Sequence, residues 1–232
     1  MIPLKDLTPR RNFPTVTAIL IVINVLVFVH QISLPPHAAD AFVTTYALTP
    51  SKISYALQGR HYTLAQALLP LFTCMFLHGG FLHILGNMWF LWIFGANVED
   101  AMGSGVYLIF YVICGIVSGI AQVAFSWGSH IPSLGASGAI SGVLGAYIVL
   151  FPRSRILTLV PLFIIWFTWN IPATVFIGIW FLIQFVSGVS SLGSVAAGGV
   201  AWWAHVGGFL AGLALAKSLS RKPRPTYGSS YY

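Results

Sequence analysis

Four residues of this sequence have the types and the spacing to do acyl chemistry: Ser137, His205, His83 and Asn87. Ser137 opens an uncharged run that reaches Pro152 and is closed by Arg153 and Arg155. As a helix this run is about 24 Å long at 1.5 Å per residue, against roughly 30 Å for a bilayer core. With the arginines at the headgroups, Ser137 falls roughly 6 Å inside the hydrocarbon at the opposite face. A hydroxyl in that place, between Gly135 and Gly138, is either a helix cap or a reactive group. This helix alone does not separate the two.

Three further polar residues fall at a matching depth. His205 lies six residues into an apolar run that starts at Gly199, and Asn87 six residues past Phe81, each about 9 Å deep in a helix. His83 and Asn87 are four apart and share a helix face. Gly138 and Gly142 form one GxxxG pair, and Gly208 and Gly212 another. Small residues at this spacing let helix backbones approach closely. The glycine face of one helix starts at Ser137 and that of the other includes His205, so close packing would bring the hydroxyl to the imidazole. The plainer alternative is generic glycine packing with His205 as a satisfied interhelical donor. A serine, a histidine and a His/Asn pair at one depth fit that alternative less well.

The chemistry follows from the residue types. A serine hydroxyl is a weak nucleophile until a base takes its proton, and His205 is the base candidate. No Asp or Glu is available to orient it, so this is a dyad. Acyl transfer also needs oxyanion donors. The Ser137 backbone N–H, the Asn87 amide and the His83 imidazole are the candidates. Segment 127–136, with Gly128, Pro132 and Gly135, is irregular backbone entering the membrane. Such backbone is tolerated where it is buried in protein or lines a wet cavity, and a wet cavity would supply the water.

These groups need elements to hold them. The chain has 232 residues, 57% hydrophobic and 6% charged, where soluble domains carry roughly 25% charged residues. Long non-alternating apolar runs predict an all-α integral membrane protein. The expected spans are 15–34, 81–98, 105–126, 137–152, 172–187 and 199–218, a six-helix bundle. Segment 64–77 is expected at the interface or packed on the bundle, 156–169 as re-entrant or interfacial, and 188–198 as a Gly/Ser loop. Residues 1–14 and 219–232 read as basic tails around a single 15–218 domain. With six spans, nine Lys and Arg lie on the side of both termini and only Lys52 and Arg60 on the other. The positive-inside rule then puts both termini in the cytoplasm. The net charge of +7 thus reports topology, and nucleic acid is not expected as a partner. Cys74 and Cys114 show no metal or redox spacing, and neither a metal nor a cofactor is expected.

Gly135-Ala136-Ser137-Gly138, Ala204-His205-Val206-Gly207-Gly208 through Gly212, and His83-Ile84-Leu85-Gly86-Asn87 resemble the GxSG, AHxGGxxxG and HxxxN motifs of the rhomboid family of intramembrane serine proteases. The resemblance covers about residues 15–218. It implies Ser137 as nucleophile, His205 as base, and His83 and Asn87 as oxyanion donors. It further implies His78 near the site mouth, and Glu99 as a structural acid at the cytoplasmic end of the second span. It also implies transmembrane protein substrates cleaved near the outer face, in a multi-pass protein of a prokaryotic cytoplasmic membrane. Two features of some members are missing: a Trp-Arg pair in the first outer loop, and a Tyr four residues after the serine, where Ser141 stands. A transporter or channel is the first rival, but no span interior holds an acid and no clear repeat is seen. A catalytically dead relative would typically lack the serine or the histidine. No HExxH motif or intramembrane aspartate pair points to another protease class.

Overall fold

The computed structural model describes residues 1–162, 165–192 and 200–221. Most of them are helical. The chain begins with strand β1 (Ile2–Asp6) and helix α1 (Thr15–Ser33). Short helices follow: α2 (Pro36–Tyr46), α3 (Pro50–Leu57), α4 (Leu64–Leu68) and α5 (Pro70–Thr73). Helix α6 (Phe81–Phe90) and helix α7 (Ala96–Met102) are joined by a π turn, Leu91–Gly95, into one rod. Then come α8 (Ser104–Phe125), α9 (Ser137–Leu150), strands β2 (Arg155–Leu162) and β3 (Ile165–Pro172), α10 (Ala173–Ser191) and α11 (Trp202–Leu219). Among the described residues, four helices are long and apolar enough to cross a membrane: α1, the Phe81–Met102 rod, α8 and α10.

Helix α9 is the hub. Gly138 through Tyr147 are all buried, as expected of a helix that is apolar on every side and enclosed by others. Its glycines decide how closely α11 can come. A Cβ on Gly208 would collide with the carbonyl oxygen of Gly138, and one on Gly212 with that of Gly142. The two GxxxG pairs therefore meet each other backbone to backbone. Helix α8 closes a third side, with Cys114 against Gly142 and Ser118 against Gly138.

Buried polar groups fix the other elements. Helix α1 starts after Pro14 without a side-chain cap of its own. The Glu99 carboxylate supplies one, accepting from the Val16 and Thr17 N–H groups at 2.9 and 2.8 Å and from the Ser104 hydroxyl at 2.7 Å. An anion at a helix N-terminus satisfies free N–H groups and the helix dipole together. Lys52, counted above on the side opposite the termini, is buried and donates to the Thr44 carbonyl.

The structure departs from the sequence expectations in five places. The all-α reading misses a three-stranded antiparallel sheet in the order β1-β2-β3. Residues 156–169, expected as re-entrant or interfacial, form most of the β2–β3 hairpin, with Arg155 paired to Pro172 and Leu162 to Ile165. β-Branched and aromatic residues dominate β3, and β2 carries Ile156, Thr158 and Val160, which favours pleated backbone; β1 supplies a third strand that local pattern cannot reveal. The 1–14 tail accordingly starts as an edge strand, where Pro3 can sit without a donor. The second helical rod runs on past 98 to Met102, and α10 continues through Ser191 into the expected 188–198 loop. The remainder of that loop, and residues 222–232 of the C-terminal tail, lie outside the described residues.

Candidate active site

Ser137 is the first residue of α9, and the preceding turn is shaped by Gly135. Gly135 has φ +121°, a conformation that side chains other than glycine's rarely adopt. A Cβ there would also lie 2.7 Å from His83 Nε2. The Gly135 N–H is anchored on the Cys74 carbonyl at 2.9 Å. Segment 127–136 is likewise tied down: Leu48 and Ser133 exchange backbone hydrogen bonds at 2.9 and 2.7 Å, and the Ser51 N–H donates to Ser129 at 2.9 Å. The irregular chain before the serine is thus anchored on protein at Ser129, Ser133 and Gly135.

His205 sits one turn into α11. Its Nε2 lies 2.7 Å from Ser137 Oγ, and its Nδ1 lies 2.7 Å from Gln184 Oε1 on α10. The orientation of the Gln184 amide follows from its own contact. Its nitrogen donates to the Trp180 carbonyl at 3.4 Å, so its oxygen faces the imidazole. An oxygen can only accept, which places the ring proton on Nδ1 and leaves Nε2 bare to accept from the serine. Trp180 and Trp202 flank the ring, with centroids 5.9 and 6.3 Å away. The start of α11 is braced by Gln122 of α8, whose Oε1 accepts from the Ala204 N–H at 3.2 Å.

A cavity of about 380 Å³ opens beside this pair. His83, Asn87 and Phe90 of α6 line one wall, and Trp180 and Gln184 of α10 the other. The Asn87 Nδ2 is buried without a hydrogen-bond partner, so a donor stands ready at the cavity. A second cavity of about 430 Å³, bounded by Gln122, the 126–133 segment and Trp202, shares Val200 and Ala201 with the first.

The structure brings Ser137, His205, His83 and Asn87 to this one cavity. His78 is placed differently from a residue at a site mouth. It is 0% exposed, behind His83 with ring centroids 5.1 Å apart, and it does not line the cavity. Burial, with the His83 ring as a smaller influence, pushes its imidazole down to about 4. Its backbone is pinned instead, the Gln31 amide donating to the His78 carbonyl at 2.9 Å. Ser141, in the place of the family tyrosine, turns away from the base and donates to the Ser137 carbonyl at 2.6 Å. Sequence reading missed Gln184 and Gln122. The available signal was an amide inside an otherwise apolar run, which is costly unless it has a partner.

Fold and site together define a multi-pass helical membrane protein that buries a hydrogen-bonded serine–histidine pair between two close-packed helices. Residues 65–222 match the rhomboid domain profile. The chain belongs to the rhomboid family. It is similar to Rhomboid protease GluP of Bacillus subtilis (strain 168), 44% identical over 89 residues, which is 38% of this chain and 17% of that protein. RHOMBOID-like protein 5 of Arabidopsis thaliana is 32% identical over 162 residues, 70% of this chain and 47% of its own. The Homo sapiens Presenilin-associated rhomboid-like protein, mitochondrial, is 32% identical over 89 residues, 38% and 24% respectively. The chain thus spans less than half the length of these curated relatives. They come from bacterial, plant and mitochondrial settings, so family membership does not select the prokaryotic cytoplasmic membrane.

Proposed function

We propose that this protein is an intramembrane serine endopeptidase that cleaves transmembrane protein substrates near the outer membrane face. The observation that carries the reading is the 2.7 Å contact between Ser137 Oγ and His205 Nε2, within the membrane-spanning bundle. In this reading His205 takes the Ser137 proton while Oγ attacks the scissile carbonyl, and the Ser137 N–H, Asn87 and His83 hold the oxyanion. His205 then gives its proton to the leaving amine. Water, activated by the same imidazole, cleaves the acyl-enzyme and restores both residues.

Gln184 serves as the positioning group that an acid supplies in soluble serine proteases, holding the tautomer without adding a charge. A neutral partner suits a site where a buried carboxylate would be costly. The substrate helix arrives from lipid between α6 and α10, whose residues form the two walls of the cavity. The domain is a six-helix bundle, α1, the α6–α7 rod, α8, α9, α10 and α11, over 15–218, with both termini cytoplasmic. The lopsided distribution of Lys and Arg supports that topology.

A fluorophosphonate probe tests the reading directly. Ser137 should be labelled in detergent-solubilised protein, and His205→Ala should abolish labelling without unfolding the chain. Absence of labelling on folded wild-type protein, or labelling that survives Ser137→Ala, would sink the proposal.

A further inference from the structure

The three-stranded sheet takes no part in the chemistry above, yet it joins the two walls of the cavity. One wall belongs to α6 and the other to α10. The sheet reaches the first through β1. The Pro3 carbonyl accepts from Trp89 Nε1 of α6 at 2.6 Å, and the Asp6 carboxylate accepts from Asn97 Nδ2 of α7. The same carboxylate accepts from the Tyr147 hydroxyl of α9 at 2.6 Å and from the Thr8 N–H at 2.8 Å. Asp6 therefore knots together the rod, the hub helix and the N-terminal strand.

From β1 the connection runs through backbone pairing. Ile2 pairs with Leu159, Pro3 with Thr158, Lys5 with Leu157 and Asp6 with Ile156. Strand β2 in turn pairs with β3, from Arg155 with Pro172 to Leu162 with Ile165. Strand β3 ends at Pro172, and Ala173 begins α10. The Ala173 N–H is also anchored on the Ser154 carbonyl at 2.8 Å. The Ser154 hydroxyl accepts from the Thr8 hydroxyl at 2.7 Å. The base of α10 is thus tied by two routes to the segment Ile2–Thr8.

Packing along α10 is uneven in the same sense. Ala173, Phe176 and Ile177 bury its first turns, and beyond them only Gln184 and Gly188 are buried. On the sheet, Ile156, Thr158 and Ile171 are buried as well. A helix held at one end by a backbone ladder and buried side chains, and farther along by one amide, tilts about the held end. Gln184 lies eleven residues from Ala173, about 16 Å along the helix. A tilt of about 10° about the base displaces it by about 3 Å at that lever length. That breaks a 2.7 Å hydrogen bond to His205 Nδ1.

We infer that the sheet is a hinge, tying the base of α10 to the α6–α7 rod through Ile2–Thr8, so that the cavity walls part only at the end that carries Gln184. Parting of the walls and release of the His205 ring are then one motion, and the N-terminal strand is a working part of it. That this motion admits a substrate rests on the function proposed above. The hinge itself does not, and its test reads distances and no proteolysis.

The test places pairs of nitroxide labels on the full chain in phosphatidylcholine vesicles, at cysteines that replace exposed residues, with Cys74 and Cys114 buried. Leu85→Cys on α6 is the fixed reference. It is paired once with Val175→Cys near the base of α10 and once with Leu182→Cys farther along. Pulsed dipolar spectroscopy should give one narrow distance distribution for the base pair and a broader or split one for the Leu182 pair. Equal widths overturn the hinge, because α10 would then be fixed or would move as a whole. Asp6→Ala should broaden the base distribution to the width of the Leu182 pair. Trp89→Phe keeps a ring but loses the bond to Pro3, and should broaden it less. A folded Asp6→Ala protein with the wild-type base distribution overturns the inference. If Asp6→Ala does not fold, an unchanged base distribution in Trp89→Phe overturns it instead. Ile109→Cys on α8 with Leu210→Cys on α11, both exposed, reports on the rest of the bundle. Its distribution should not change in either variant, and broadening there would show general loosening in place of a hinge.

Discussion

His205 is held from two sides by two different kinds of construction. On the Ser137 side the contact is between backbones: Gly208 and Gly212 of α11 lie against the Gly138 and Gly142 carbonyls of α9. Ten consecutive residues of α9 are buried around it. On the other side stands a single side chain, Gln184, on a helix of 19 residues of which only Ala173, Phe176, Ile177, Gln184 and Gly188 are buried. The seam fixes the serine–imidazole distance through main-chain atoms that cannot rotate away. The Gln184 contact fixes the ring's tautomer through a side chain on a lipid-exposed helix. Distance and orientation are thus set by separate parts, and in the proposed mechanism the orienting part is the one that would move aside for a substrate helix.

The sharpest way to break this contrast is to widen the seam. Gly208→Leu or Gly212→Leu puts side-chain atoms where α9 carbonyls lie, and neither backbone can yield without parting the helices. Overpacking of this kind costs about 1–3 kcal/mol or more, so these variants should lose both activity and melting temperature. Gly178→Leu on α10, where a Cβ meets nothing within 4 Å, should melt as wild type does. Equal melting for Gly208→Leu and Gly178→Leu would refute the distinction.

Removing the reacting groups should cost activity without cost to the seam. Ser137→Ala and His205→Ala should each abolish detectable proteolysis, a loss on the order of 10⁶ in kcat in a soluble serine protease. The double variant should be no worse, because the two act as a unit. Melting temperatures should stay close to wild type. If losses instead track stability, and Ser137→Ala matches Ser137→Cys, the two residues are packing groups.

Smaller effects separate the oxyanion wall from the orienting wall. Asn87→Ala removes one donor and should lower kcat by about 10²–10³, with KM nearly unchanged. Gln184→Leu should slow both cleavage and fluorophosphonate labelling, by about 10–100-fold or roughly 1.4–2.7 kcal/mol. Gln184→Glu keeps an acceptor and should recover part of the rate. Failure of Gln184→Glu to recover any rate, with Gln184→Leu altering KM alone, would make Gln184 a substrate contact and not a positioning group.

The smallest effect is expected at Ser141. Its hydroxyl bonds back to the Ser137 carbonyl within α9, an arrangement that contributes little to helix stability. Ser141→Ala should change rate and melting temperature negligibly. A large rate loss would mean that this position still orients the base, as the family tyrosine would, and that Gln184 does not act alone.

The sequence by itself determined the membrane class, the position of most helices and the four residues at the cavity. These are legible because their signals are local: uncharged length, glycine spacing, and polar groups that a membrane tolerates only with a purpose. A structural role for Glu99 was implied only by the family resemblance, and its partner, the start of α1, was not legible at all. Tertiary structure alone decided the rest. The sheet depends on pairing Ile2–Asp6 with Arg155–Leu162, across about 150 residues of intervening chain, and a short apolar run looks alike as strand or buried helix. The resemblance implies His78 near the site mouth, and only the fold shows it enclosed behind His83. Gln184 is an unremarked amide in an apolar span until α10 packs at the angle that brings it to Nδ1. Periodicity records which residues must leave water; which distant group each one meets is set by how the helices cross.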